Sequence, residues 1–136
     1  AVHALRQRFV FTGLISPEEI PRHIGIMNCL VHLSRREGLP RALPQAMAAG
    51  KPVVAYDCDG AREVCITGRT GHLIRHGDLD GLTKALLELS SGSDRRHQLG
   101  ENGRNLVRER FAVEKMVDEI HVLSQRLMES AVRGES

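Results

Sequence analysis

Aromatic residues are scarce in this chain: its 136 residues include no tryptophan, one tyrosine and three phenylalanines. Proteins that bind single-stranded nucleic acids stack bases on aromatic side chains, so platforms of that kind are few here. A dominant charge is missing as well, because 19 basic and 17 acidic residues are interspersed and leave a formal net charge of +2. A nucleic-acid surface would show a clustered basic stripe. We therefore expect no nucleic-acid partner.

The chain also lacks an apolar run of transmembrane length. Its three cysteines are odd in number and lack the paired spacing of a metal site, which favours reduced thiols in the cytosol. The sequence starts at Ala1 with neither a start methionine nor a signal peptide. We therefore expect a piece of a longer cytoplasmic protein. Association of that parent protein with the inner membrane surface stays open.

Short apolar runs alternate with helix-forming segments, a pattern typical of a parallel α/β sheet. It predicts four strands, over residues 9–11, 29–33, 53–56 and 72–74. Helices are predicted over residues 16–27, 42–49 and 61–65, the first of them with Ser16, Pro17 and Glu19 as a capping box. From residue 78 to about residue 130 the pattern changes to helices only, and the last is clearly amphipathic.

The stretch of residues 34–57 organises the rest: a loop, a helix, a tight turn and a buried strand. Residues 42–49 are rich in the strong helix formers alanine, leucine, glutamine and methionine. Gly50 can take the left-handed conformation that ends a helix, and Pro52 cannot continue one. Val53–Tyr56 is a short apolar run, as in strands buried on both faces. A loop that enters a helix beyond a parallel strand is a place where phosphate binds.

This stretch resembles the C-terminal domain of the retaining family 4 glycosyltransferases, which have the GT-B architecture. Their signature is two acidic residues separated by seven others, with the second opening the run E-A-M-A-x-G-x-P-V-V. The present chain has Glu37, then seven residues, then Gln45-Ala46-Met47-Ala48-Ala49-Gly50-Lys51-Pro52-Val53-Val54. The resemblance extends back to residues 11–13 and forward through residues 59–64 and 70–74. The second acid of the signature is an amide here, Gln45.

The resemblance implies a Rossmann-like sheet in which residues 1–136 form a single, truncated nucleotide-sugar-binding domain. A complete domain of this kind has six parallel strands, and its first two, with a glycine-rich turn, Arg and Lys, have no counterpart here. The strand over residues 9–11 would be the third. Since its native neighbours are missing, the next strand would have an exposed edge, and we expect a homo-oligomer or a swapped strand.

The implied activity is that of a hexosyltransferase, which moves a sugar from a nucleotide-diphosphate sugar to an acceptor. The donor is a substrate, and no cofactor is implied. The acceptor would lie on an N-terminal domain outside this chain, so the fragment alone is expected to be inactive. Two alternatives stay open: a non-catalytic nucleotide-binding or assembly module, and a sugar-nucleotide epimerase of the same architecture.

The predicted catalytic residue is Glu37. By resemblance its carboxylate accepts hydrogen bonds from hydroxyls of the donor sugar, although it could instead cap the following helix. The donor sugar and the diphosphate are assigned to the residues entering that helix, because free N–H groups and the helix dipole stabilise developing negative charge. These residues are Gly38, Leu39, Pro40 and Arg41. For Arg41 a solvated surface position is an equally good interpretation.

Ribose and base are assigned to three further residues. Gln45 matches the acid that holds the ribose hydroxyls, and its amide oxygen can still accept a hydrogen bond without charge assistance. Gly13 and Leu14 follow the first predicted strand and would contact the base, unless they form a plain turn. No metal site is predicted, because His72 and His76 straddle a strand end and no third ligand is suggested.

Overall fold

A computed structural model describes the backbone of residues 5–133 and the side chains of residues 5–131. One parallel sheet has the strand order β1-β2-β3. Its strands are β1 Leu30–His32, β2 Val53–Tyr56 and β3 Gly71–Ile74. The helices are α1 Ile20–Ile26, α2 Ala42–Ala48, α3 Ala61–Val64, α4 Leu79–Ser91, α5 Ser93–Arg110 and α6 Val113–Arg133. The ends of the predicted domain, residues 1–4 and 134–136, lie outside the described part.

The α/β class and the parallel sheet are confirmed, but the predicted strand over residues 9–11 is wrong. Phe9 and Phe11 are largely exposed, and their rings stack on each other with centroids 6.4 Å apart. A β-strand is held by hydrogen bonds to a neighbour. No described strand pairs with this segment, so its apolar sequence is not enough to make it one. The sheet therefore has three described strands instead of about four.

The first helix begins later than its sequence indicates. The predicted capping contact is present, because the Ser16 backbone N–H and Oγ both donate to Glu19 Oε2, at 3.1 and 3.0 Å. These hydrogen bonds lower the pKa of the Glu19 carboxyl. They close a turn, however, and α1 starts only at Ile20. The prediction of a helix from residue 16 is corrected accordingly.

The turn between α2 and β2 forms as predicted. Gly50 has a φ of 70°, and its N–H donates to Met47 O at 2.8 Å. The N–H of Lys51 then donates to Ala46 O at 2.9 Å, which satisfies the last carbonyls of the helix. Pro52 and most of β2 are fully buried, since β2 is the central strand.

Apolar side chains cover both faces of the sheet. Alternate residues of β2 point to opposite faces. Val53 and Ala55 pack with Leu43 and Met47 of α2, whereas Val54 packs in a second cluster. That second cluster contains Ile74, Ala85, Leu89 and Leu99. The result is a sheet between helical layers, with the loops that follow the strands left at one edge.

Helix α5 packs closely because of its two glycines, which weaken its apolar pattern in the sequence. A Cβ on Gly100 would overlap the carbonyl group of Gly50 and lie 2.7 Å from its carbon. A Cβ on Gly103 would approach Met47 Cγ to 3.2 Å. The glycines thus let α5 lie directly on the end of α2.

Helix α6 leaves its apolar stripe exposed. The residues of that stripe are Val113, Met116, Val117, Ile120, Leu123 and Leu127. Within residues 5–133, no helix combines the length and the apolar character needed to cross a membrane.

Candidate functional site

Two loops meet at the edge of the sheet where β1 and β2 end. In a parallel sheet the carboxyl ends of neighbouring strands lie side by side, and ligands of open α/β sheets bind there. The Gly60 N–H donates to Gly38 O at 2.9 Å, and the Cys58 thiol lies 3.4 Å from Ser34 O. A Cβ on Gly60 would overlap the Gly38 carbonyl and lie 2.9 Å from Leu39 Cα. The loop after β2 therefore packs against the loop after β1 and holds its backbone in place.

Glu37 lies in the loop after β1, and its side chain is 38% exposed. Its Oε1 lies 3.3 Å from Nε2 of His32, the last residue of β1. Among the described residues, no hydrogen bond joins Glu37 to the first turn of α2, whose N-cap is Arg41. The alternative in which Glu37 caps that helix is therefore wrong. The carboxylate faces the histidine and remains partly open to solvent.

The predicted diphosphate segment follows directly. Gly38 is exposed, and a Cβ built on it would meet no protein atom within 4 Å. Leu39 is exposed and Pro40 is buried. Arg41 is exposed and forms no ion pair with a described residue. The space in the Cβ direction of Gly38 is thus free, whereas the carbonyl group of Gly38 packs against Gly60.

Some backbone N–H groups in the first turn of α2 already donate to carbonyl groups at the start of the helix. The Leu43 N–H donates to Pro40 O at 3.1 Å, and the Gln45 N–H donates to Arg41 O at 3.2 Å. Pro40 has no N–H to offer. The amides of Gly38, Leu39, Arg41 and Ala42 donate to no described group, so they are left for an anion along the whole entry to α2.

Gln45 is exposed and lines an apolar cavity of about 320 Å³ between α1 and α2. The other lining residues are Pro17, Ile20, Pro21, Ile24, Ala48 and Ala49. Glu37 is not among them. The two residues of the signature thus lie on the same loop-and-helix unit but face different neighbours, and the ribose role of Gln45 stays a prediction.

Gly13 and Leu14 are both exposed. Gly13 has a φ of 67°, in the left-handed region that favours glycine. The strand that was predicted to lead into it is absent from the described sheet. The contact with the base therefore stays a prediction that rests on the resemblance alone.

His32 is the functional candidate that the sequence analysis missed. Its Nε2 is shielded from solvent and makes no aligned hydrogen bond with a described residue, although its side chain as a whole is 23% exposed. A polar residue inside the apolar run 29–33 was the available signal. Only the folding of the following loop brings Glu37 back onto it.

Other polar groups near the same edge have local partners. Asp57, just after β2, forms an ion pair with Arg62 of α3. Burial raises the pKa of the Cys65 thiol to about 12, and it also raises the pKa values of Cys29 and Cys58. Among residues 5–133, no group of three histidine, cysteine, aspartate or glutamate side chains could hold a metal ion.

This arrangement defines a class: a parallel α/β sheet of Rossmann type, with a glycine-containing loop and a carboxylate at the carboxyl ends of its strands, where ligands of such sheets bind. The model of the family "Glycosyl transferases group 1" matches residues 2–106, and the chain belongs to that family. The family places the observed sheet within the GT-B glycosyltransferases, as the sequence analysis expected.

Two relatives match over most of this chain. An uncharacterised glycosyltransferase of Methanocaldococcus jannaschii is 30% identical over 125 residues, which are 91% of this chain and 32% of that protein. The N-acetyl-alpha-D-glucosaminyl L-malate synthase of Bacillus anthracis is 27% identical, over 88% of this chain and 31% of that enzyme. The chain therefore spans about a third of the length of these relatives.

Solved structures of similar fold support the same assignment. Sucrose-phosphate synthase from Thermosynechococcus elongatus superimposes with a TM-score of 0.84 and 27% identity, over 95% of this chain and 32% of that structure. HepE of Anabaena, in complex with UDP and glucose, gives a TM-score of 0.82 and 27% identity, over 90% and 33%.

Proposed function

We propose that this chain is the donor-binding part of a retaining glycosyltransferase that moves a hexose from a nucleotide-diphosphate sugar to an acceptor. The acceptor would be held by a part of the protein outside these residues. Membership of the glycosyltransferase family and the similarity to HepE, whose structure contains UDP and glucose, support the donor class. Since the chain spans about a third of its relatives, we expect it to bind the donor without transferring the sugar.

The observation that carries this proposal is the loop at Gly38. A Cβ on Gly38 would meet no protein atom within 4 Å, and the carbonyl of Gly38 accepts a hydrogen bond from Gly60 of the next loop. The amides near Gly38 would face the diphosphate, which gains negative charge as the bond to the anomeric carbon breaks. Arg41, exposed beside them, would add positive charge. Glu37 would accept hydrogen bonds from the sugar hydroxyls. Gln45 and the segment of Gly13 and Leu14 would hold the ribose and the base.

A pair of alanine substitutions tests the open loop. Gly38→Ala adds a methyl group where no protein atom lies within 4 Å, so the fold should not change. If the diphosphate occupies that space, affinity for UDP, GDP or their sugar conjugates should fall about tenfold or more. Gly25→Ala is the matched control, because its Cβ also meets nothing within 4 Å and it lies near the end of α1.

Calorimetry and ligand-observed NMR with UDP, GDP, UDP-glucose and GDP-mannose would measure the affinities. Loss of binding in Gly38→Ala, with normal binding in Gly25→Ala, is the expected result. Equal affinities in both variants would place the donor elsewhere. Failure of the unaltered chain to bind any of these nucleotides would contradict the donor-binding role itself.

A further inference from the structure

The carboxylate of Glu37, beyond the carboxyl end of β1, has a histidine beside it that the signature of the family does not require. His32 ends β1, and its Nε2 lies 3.3 Å from Oε1 of Glu37. The same nitrogen is buried and has no aligned hydrogen-bond partner among the residues described. A buried ring nitrogen without a hydrogen bond destabilises the structure, and a small rotation of the carboxylate would remove that cost.

We propose that His32 is a positioning residue for Glu37, holding its carboxylate toward the donor sugar through a hydrogen bond that tightens when the donor binds. This inference rests on the proposed function, because it assigns Glu37 to the sugar. Hydrogen bonds of functional groups are often long or poorly aligned without ligand and shorten in the complex. The separation of 3.3 Å without alignment matches that condition.

The placement of the pair determines what His32 can do. His32 lies in a short strand paired with β2 through Leu30, Val31 and His32 itself, so its backbone is fixed by the sheet. Glu37 lies in a loop, where a carboxylate has many rotamers to lose on binding. Its Oε1 faces the histidine, and its side chain is partly open to solvent. The imidazole of His32, whose backbone is fixed in the strand, thus orients the mobile carboxylate of Glu37 in the loop through a hydrogen bond. Supporting residues act in this way in binding sites.

A second histidine provides a control within the same chain. His72 lies in β3, its Nε2 is likewise buried without an aligned partner, and Glu88 Oε2 lies 3.4 Å from it. Glu88 belongs to α4 and also pairs with Arg95, with Nε and Oε1 3.0 Å apart. This pair resembles the first in chemistry and burial, but it joins a strand to a helix and not to the Gly38 loop. Substitutions at His72 therefore report the purely structural effect.

The test compares His32→Leu with His32→Gln, since glutamine keeps an N–H at similar reach and leucine removes it. Affinities for UDP-glucose and GDP-mannose are measured against those for UDP and GDP. His32→Leu should weaken sugar-nucleotide binding about tenfold, the size of one hydrogen bond to a charged group, and leave the diphosphates unaffected. His32→Gln should restore most of the loss. His72→Leu and His72→Gln should change neither affinity.

A double substitution decides whether His32 acts through Glu37. In a chain that already carries Glu37→Ala, adding His32→Leu should have no further effect on sugar-nucleotide affinity. Additive losses would overturn the proposal, as would equal weakening of diphosphate and sugar-nucleotide binding by His32→Leu. If Glu37→Ala weakens sugar-nucleotide binding while His32→Leu does not, the inference fails and the proposed function stands. If the unaltered chain binds no nucleotide, both fail.

Discussion

The amide of Gly60 donates a hydrogen bond to the carbonyl oxygen of Gly38, at 2.9 Å between nitrogen and oxygen. The two glycines belong to loops that follow neighbouring strands. A side chain on Gly60 would overlap the Gly38 carbonyl, whereas one on Gly38 would meet open space. One glycine is therefore required by the protein's own packing, and the other leaves room for something outside it.

The first prediction follows from this difference. Gly60→Ala should lower the free energy of unfolding by about 1–3 kcal/mol, because the loops must separate to admit the methyl group. Nucleotide affinity should fall as well, since the Gly38 loop loses its support. Urea unfolding and calorimetry measure the two effects. A variant of normal stability and normal affinity would show that the close contact is not needed.

Helix α5 provides the second prediction. Gly100→Ala should destabilise the chain by roughly 1–3 kcal/mol, because the added carbon overlaps the rigid Gly50 carbonyl. Gly103→Ala is the control: its nearest neighbour is the flexible Met47 side chain, and alanine gains up to about 1 kcal/mol in helix propensity. Urea unfolding of both should give a clear loss for the first and a small change for the second. Normal stability of Gly100→Ala would contradict the close packing of α5 on Gly50.

The third prediction concerns the side-chain amide of Gln45. Gln45→Glu should raise nucleotide affinity by about 3- to 10-fold, because a charged acceptor strengthens the hydrogen bond to a ribose hydroxyl. The gain should disappear with 2′,3′-dideoxy nucleotides, which lack the hydroxyls. Calorimetry with UDP or GDP and their dideoxy forms makes the comparison. A large drop in affinity on Gln45→Glu would show that the ribose role is assigned to the wrong residue.

The fourth prediction concerns alkaline pH. Burial raises the pKa of Cys65 from its ordinary value of 9.0 to about 12. Since the folded chain retains this proton longer than the unfolded chain, the contribution of Cys65 to stability is complete below pH 9. It is lost as the pH rises toward 12, with a slope approaching ~1.4 kcal/mol per pH unit.

Cys65→Ala separates this effect from the titration of other groups. Unfolding free energies of both proteins, measured from pH 8 to 11, should converge as the pH rises. Parallel curves would mean that the thiol titrates alike in the folded and unfolded chains.

The fifth prediction concerns association. β1 pairs with β2 on one side only, and no described strand covers its outer edge. An uncovered edge can pair with another chain. We expect concentration-dependent self-association in sedimentation velocity, reduced by Val31→Lys at the exposed centre of β1. A clean monomer at high concentration would contradict the expectation.

Local sequence accounts for much of the fold. The β2 strand and the helix and turn before it match their prediction closely, because helix formers, Gly50, Pro52 and a buried apolar run all favour the same structure. The segment over residues 9–11 has an equally apolar sequence and is not a strand. A strand depends on its neighbour, and a single segment cannot supply one.

The sequence by itself determined the parallel α/β class, the loop that contains Glu37 and the end of α2 at Gly50, since each depends on residues close together in the chain. Only the tertiary structure decided which groups meet. It placed His32 beside Glu37, set Gly60 behind Gly38 and laid Gly100 on Gly50. Such contacts depend on how strands and helices pack, and a distance in space between packed elements is not encoded in the spacing of residues along the chain.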